Sequence, residues 1–290
     1  MTTILVSKEV DRIVYNLQPG NYYIKISPIE IEHNGYEIEN KIFEILSESE
    51  IKDSVVEYIY SSTSKKTNIN IILEKENYNI DYYDWYRTNC ENWCGFEEEF
   101  RILITRGYEN HRTLSDITNL SILDYESYIK NIITVVYKAH KEYNFVHGDL
   151  LLQNVLCDYK SLKDKIYKIK IFDFNLSSIN NEHSTDQYNF DNAILYLPLT
   201  GKEGFILDFY RLCICVLHAS SRFSDTYIFM SDYIMMELLG VMKRCEYSFN
   251  DLSKFDCWVS RLEKTTNELY DHIVENYVLK SDSTETDDSV

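Results

Sequence analysis

Asp149 and Asn154 stand in the run His147-Gly148-Asp149-Leu150-Leu151-Leu152-Gln153-Asn154, and Asp173 opens Asp173-Phe174-Asn175 a little further on. Carboxylate and amide oxygens are hard donors, the kind that hold magnesium by one or two protein ligands and leave its other positions to phosphate oxygens. Transfer of a γ-phosphoryl group asks little covalent chemistry of a protein. It needs a carboxylate beside the acceptor hydroxyl and oxygen ligands for a metal bridging the phosphates. Asp149 suits the first role, and Asn154 with Asp173 the second.

These residues need elements to hold them, and hydrophobic periodicity supplies several. Ile13–Tyr15 and Tyr22–Ile26 read as short strands, separated by the turn sequence Asn16-Leu17-Gln18-Pro19-Gly20. Glu37–Leu46 reads as a helix with Ile38, Ile42 and Ile45 on one face. Asn68–Leu73 and Arg101–Thr105 read as further strands, while the polar, aromatic stretch Tyr82–Phe100 shows no period. From Glu126 the pattern turns helical. Ile129, Ile132, Ile133 and Val136 predict an amphipathic helix over Glu126–Tyr143. Phe145-Val146 and Val155-Leu156 then bracket the polar loop that carries Asp149, and Tyr167–Phe172 is a strand leading into Asp173. Phe205–Leu217 and Tyr227–Met242 are apolar enough for buried helices. Ser281–Val290 is acidic and lacks apolar anchors, which predicts a disordered tail.

A helix, the eight-residue loop, and a strand ending in Asp-Phe-x resemble the eukaryotic-type protein kinases, whose catalytic loop reads H-R/G-D-x-x-x-x-N and whose metal loop reads D-F-G. The resemblance extends over residues 1 to about 220. It implies an α+β, bilobal fold: a small β-rich N-lobe with one key helix (1–107), a larger helical C-lobe (108–280), and the tail at 281–290. It also implies ATP and magnesium as cofactors. Tyr22-Tyr23-Ile24-Lys25 matches the family's strand-lysine motif, making Lys25 the candidate for the α- and β-phosphates. Its partner would be Glu39 or Glu44. The family places an apolar residue one turn after that glutamate, against the metal-loop phenylalanine. Glu39 is followed at that spacing by Phe43 and Glu44 by Glu48, so Glu39 is the choice. Ser7 and Val14 fall in the frame of the glycine-rich loop, Thr105 at the position entering the hinge, and Asp208 at the start of the helix that braces the catalytic loop. Taken singly, Lys25 would be a solvated strand lysine, Glu39 a helix-surface charge, His147 a packed imidazole and Asp208 a helix N-cap. Their joint order favours the functional reading.

The chain also departs from the family. Ser7, Glu9 and Arg12 stand where glycines belong, and glycine is what lets backbone amides approach phosphate. Tyr23 replaces a small residue that contacts adenine, Leu151 replaces the lysine of serine/threonine kinases, and Asn175 replaces the metal-loop glycine. Gly148 replaces an arginine that reads a phosphorylated activation loop, so activity should not depend on such phosphorylation. No Ala-Pro-Glu segment precedes Asp208; only Ile194-Leu195-Tyr196 stands near its place.

A net charge of −18 argues against nucleic acid or an anionic membrane as the main partner. The amino-terminal MTTILVSKEVDR lacks an apolar signal core, and no stretch is long enough to span a bilayer, so a cytoplasmic protein is expected. The seven cysteines are odd in number. Neither Cys90-x3-Cys94 nor Cys213-x-Cys215 has a second pair at zinc spacing, which points to free thiols. The leading expectation is a kinase acting on protein hydroxyls, most simply Ser/Thr. The alternatives are a small-molecule phosphotransferase resembling the aminoglycoside and choline kinases, and a catalytically weak pseudokinase scaffold.

Overall fold

The computed structural model describes residues 2–8, 13–18, 20–29, 35–65, 79–90, 99–117, 120–183, 200–220 and 267–279. The first part of the chain builds a five-stranded antiparallel sheet from β1 (Thr2–Lys8), β2 (Ile13–Gln18), β3 (Tyr22–Pro28), β4 (Tyr58–Lys65) and β5 (Glu99–Arg106). Their spatial order is β1-β2-β3-β5-β4. Strand β2 runs beyond the expected Tyr15, because Asn16 and Leu17 pair with Tyr23 and Tyr22. The connection therefore tightens to the neighbourhood of Gly20 and Asn21, where Asn21 adopts φ 49°, a left-handed conformation asparagine tolerates. Hydrophobic periodicity does not reveal β1 or β4. Both lie at sheet edges, and β4 never buries one face cleanly, so it lacks the alternation that reveals a strand.

Helix α1 (Gly35–Glu48) extends slightly beyond the predicted Glu37–Leu46 and buries Ile42, Phe43 and Leu46 completely. Helix α2 (Asn79–Trp85) runs into a single π turn, Tyr86–Cys90, which accounts for part of the aromatic stretch that showed no period. Trp85 and Tyr86 pack on Phe100 with ring centroids 6.3 and 6.0 Å apart. With Ile13, Tyr15 and Ile26 they form a small separate core.

The second part is mainly helical. A three-stranded sheet of β6 (His111–Thr113), β7 (Val155–Asp158) and β8 (Ile169–Ile171) carries the loop of interest. Strand β8 is shorter than the expected Tyr167–Phe172. Helix α3 (Ile122–Tyr143) starts a turn before Glu126, because Ser121 and Asp124 form a reciprocal capping box. Asp124 Oδ2 accepts from the Ser121 N–H at 3.1 Å, and Ser121 Oγ accepts from the Asp124 N–H at 3.2 Å. Strands β9 (Ser178–Ile179) and β10 (Glu182–His183) make a hairpin. Its two turn residues, Asn180 and Asn181, both have positive φ, as a primed hairpin turn requires. Helix α4 (Gly201–Ser220) begins before the expected Phe205, and Phe205, Phe209 and Leu212 on it are fully buried. A last helix, α5 (267–277), sets Leu269, Ile273 and Tyr277 into the same core. The expected strand Asn68–Leu73, helix Tyr227–Met242 and tail Ser281–Val290 lie outside the described residues.

The two parts are joined behind the cleft by backbone as well as side chains. Val55 bridges Ile171 in parallel, and the Val56 N–H donates to the Ile171 carbonyl at 3.1 Å. Lys170 Nζ donates to the carbonyls of Asp53 and Val55 at 2.9 and 3.3 Å while lying 4.6 Å above the Tyr108 ring. Among the described residues no helix is long and apolar enough to cross a membrane, and no group of three or more His, Cys, Asp or Glu side chains is placed to hold a metal. Cys213 and Cys215 are free thiols, and burial pushes both up from the usual thiol value.

Candidate active site

Strand β3 and helix α1 bring Lys25 and Glu39 together at the back of a cleft of about 590 Å³. Lys25 Nζ lies 3.4 Å from Glu39 Oε1 and 3.0 Å from Asp173 Oδ1. The choice of Glu39 over Glu44 is explained by packing. Phe43, one turn on, meets Phe174 edge-to-face at 4.7 Å, whereas Glu44 is exposed. Glu39 itself is buried and paired a second time, by Arg101 of β5. Burial alone would raise its carboxyl, but Lys25 and Arg101 together outweigh that and hold it below the usual range.

The catalytic-loop candidates are fixed from beneath. Asp208, fully buried on α4, accepts the His147 N–H at 2.6 Å through Oδ2 and the Gly148 N–H at 3.0 Å through Oδ1. Helix α4 starts at Gly201, so Asp208 lies inside it and is no N-cap. His147 is likewise buried, with Nε2 3.1 Å from the Phe172 carbonyl and Nδ1 3.4 Å from the Asp149 N–H. A carbonyl only accepts, so Nε2 carries the proton and Nδ1 accepts. The imidazole thus ties the loop to the residue before Asp173 and has no nitrogen left for proton transfer. Asn154 Nδ2 donates to the Asp149 carbonyl and to Asp149 Oδ2, each at 2.9 Å. That leaves the Asn154 amide oxygen as its acceptor. Two protein oxygens, from Asn154 and Asp173, suit magnesium that takes its remaining ligands from phosphate and water.

Gly148 has φ +77°, and a Cβ there would stand 1.8 Å from the Leu176 carbonyl oxygen. The backbone just after Asp173 therefore crosses directly over this glycine. That crossing is the physical reason no larger residue stands there.

Of the other predicted residues, Val14 and Thr105 line the cleft, as does Tyr23, which pairs with Thr105 across β3 and β5. Ser7 lies in β1 opposite Val14. Glu9 and Arg12 lie outside the described residues, as does Ile194-Leu195-Tyr196. Val6, the residue before Ser7, also lines the cleft. Sequence reasoning missed Arg101 and His111. The latter lines the cleft with a buried Nδ1 that makes no hydrogen bond among the described residues, a site that a ligand hydroxyl could satisfy.

Opposite titrations meet in this loop. Burial pushes His147 down to about 4 from 6.5 and Asp208 up to about 6 from 3.8. For His147 the unfolded chain takes the proton first, so acidification from pH 6.5 towards 4 removes stability. For Asp208 the folded chain takes it first, so acidification from pH 6 towards 4 adds stability. Urea unfolding at pH 6.5 and 4.5 should show His147→Gln gaining on the wild type upon acidification, and Asp208→Asn losing, by about 2 kcal/mol each.

A five-stranded antiparallel sheet with one inserted helix lies over a helical part that carries the loop His147–Asn154 and Asp173. This arrangement, with Lys25 in contact with both Glu39 and Asp173, defines a bilobal kinase-like fold. No family model and no curated protein matches the chain. Among solved structures a neighbour is WaaP in complex with acyl carrier protein, with TM-score 0.45 and 10% identity over 92% of this chain and 88% of that one. That likeness is too slight to define the fold, which the sheet order and the contacts above define.

Proposed function

We propose that the chain is a magnesium- and ATP-dependent phosphotransferase that transfers the γ-phosphoryl group to a protein hydroxyl, of serine or threonine. The observation that carries this reading is Lys25, held between Glu39 and Asp173 in the same cleft that Asn154 lines, with Asn154 gripping Asp149. Asp149 would orient the acceptor hydroxyl and take its proton. Lys25 would hold phosphate oxygens, and Asn154 with Asp173 would hold the metal. When bound, magnesium would neutralise charge on the phosphates. A protein acceptor is favoured over a small molecule by what lies between β5 and His147: β6, a short turn and α3. A separate helical substrate-binding segment finds no room there. The deciding test is phosphorylation of generic protein substrates and ATP hydrolysis with magnesium. Asp149→Ala should lower turnover by about 10²–10⁴-fold. Equal turnover by both proteins would overturn the reading.

One observation favours a weak binder or scaffold. Tyr23 lines the cleft, at the position where the resembled family has a small residue against the purine. If it crowds the purine, Tyr23→Ala should tighten magnesium-ATP about tenfold or more by calorimetry, the cost of modest overpacking. Weaker binding by the variant would show instead that the ring stacks on the nucleotide. No binding by either protein at millimolar nucleotide would favour the scaffold.

A further inference from the structure

Arg101 is an arginine in the middle of a strand, and it is 4% exposed. Its register places it opposite Ser27 of β3 and Thr63 of β4, two positions before Leu103, the partner of Lys25. All three nitrogens of its guanidinium are engaged. Nη1 donates to Glu39 Oε2, Nη2 to Asn40 Oδ1 at 2.6 Å, and Nε to Ser61 Oγ at 3.4 Å. A desolvated arginine tied in this way is no solvent-facing strand residue.

Its place in the charge pattern gives it a task. Asp173, Lys25, Glu39 and Arg101 form a chain of alternating sign, two carboxylates and two cations, and the chain is neutral. Without Arg101, Glu39 would depend on Lys25, which Asp173 also engages, and phosphates entering the cleft would compete for that same ammonium. Glu39 would then be a buried carboxylate short of a partner, which burial drives toward its neutral form. Arg101 is a counter-ion that phosphate does not draw away. The same guanidinium reaches Asn40, so it grips two successive residues of α1. The helix is further tied by Lys41 to Glu182 at 2.6 Å and by Phe43 to Phe174.

We propose that Arg101 is a positioning residue: it keeps Glu39 ionised and α1 seated on the sheet, so that the Lys25–Glu39 pair is assembled before any ligand, partner or modification arrives. Its bearing on turnover rests on the phosphotransferase reading, but the seating of α1 does not.

Amide hydrogen exchange of residues 35–48 in ligand-free protein, followed from pH 7.5 to 5 and corrected for intrinsic rates, tests it. Arg101→Met should speed exchange across α1 by at least about tenfold, the worth of one charged hydrogen bond. The loss should deepen on acidification, because Glu39 without Arg101 takes up its proton at a higher pH. Lys25→Met should change α1 exchange much less. Adding Glu39→Gln to Arg101→Met should abolish the pH dependence, which a packing defect alone would not do. Arg101→Lys keeps the charge but cannot fork to both partners, so it should fall between; it also serves if Arg101→Met does not fold. Unchanged α1 exchange in Arg101→Met or Arg101→Lys would overturn the proposal, as would exchange that rises equally in Lys25→Met. A wild type that binds no magnesium-ATP would remove the phosphotransferase reading and leave the exchange result to decide the role of Arg101.

Discussion

Asp173→Ala should lower magnesium-dependent nucleotide turnover by about a thousandfold or more while the protein keeps its cooperative unfolding transition. The carboxylate is the charged member of the proposed metal pair, and removing it forfeits several kcal/mol of charge stabilisation where the phosphates react. Its loss does not strand Lys25, which keeps Glu39 at 3.4 Å, so the fold has little reason to fail. Asn154→Ala removes a neutral ligand, but it also removes the two hydrogen bonds that hold Asp149. On the order of a hundredfold is expected from that loss of orientation. Single-turnover assays with titrated magnesium check both, because a lost metal ligand is partly offset by excess metal and a misplaced Asp149 is not. A well-folded Asp173→Ala protein with near-normal turnover would remove Asp173 from the metal site.

Gly148→Ala should damage stability and turnover together, although it adds one methyl group. The left-handed φ costs an alanine about 1–2 kcal/mol. A Cβ 1.8 Å from the Leu176 carbonyl oxygen cannot be accommodated unless the crossing backbone moves. Combined with the strain, at least about 3 kcal/mol of destabilisation is expected. Since Leu176 follows Asp173 so closely, the shift would reach Asp173, the proposed metal ligand, and cost about a hundredfold in turnover. Chemical denaturation and a kinase assay on the same preparation suffice. Wild-type values in both would mean that the backbone after Asp173 does not cross Gly148.

The contrast between Glu39 and Arg101 shows what the sequence could convey. Glu39 was legible through the family resemblance, and what separated it from Glu44 is local: a helix period with Phe43 one turn away, the residue that meets Phe174. Arg101 was not, because nothing near it in sequence distinguishes a buried arginine from the solvent face of a strand. Only folding brings Glu39 and Asn40 to it. The catalytic loop was legible for the same reason as Glu39, its residues being close together between a strong helix and a strand. Edge strand β4 was hidden because neither of its faces is consistently buried, and α2 because a helix of two turns carries too few periods to register. Asp208 was found at the right position, yet its role as an N-cap could be dismissed only once α4 was seen to begin a turn and more before it.

The pairing of Val55 with Ile171, with Lys170 clasping the carbonyls of Asp53 and Val55, has a mechanical consequence. Residues 53–56 tie the sheet-bearing part of the chain, by main-chain and side-chain hydrogen bonds, to the strand that runs directly into Phe172 and Asp173. The position of Asp173 relative to Lys25 is therefore braced by backbone at its own strand and does not depend on the Lys25–Asp173 ion pair alone.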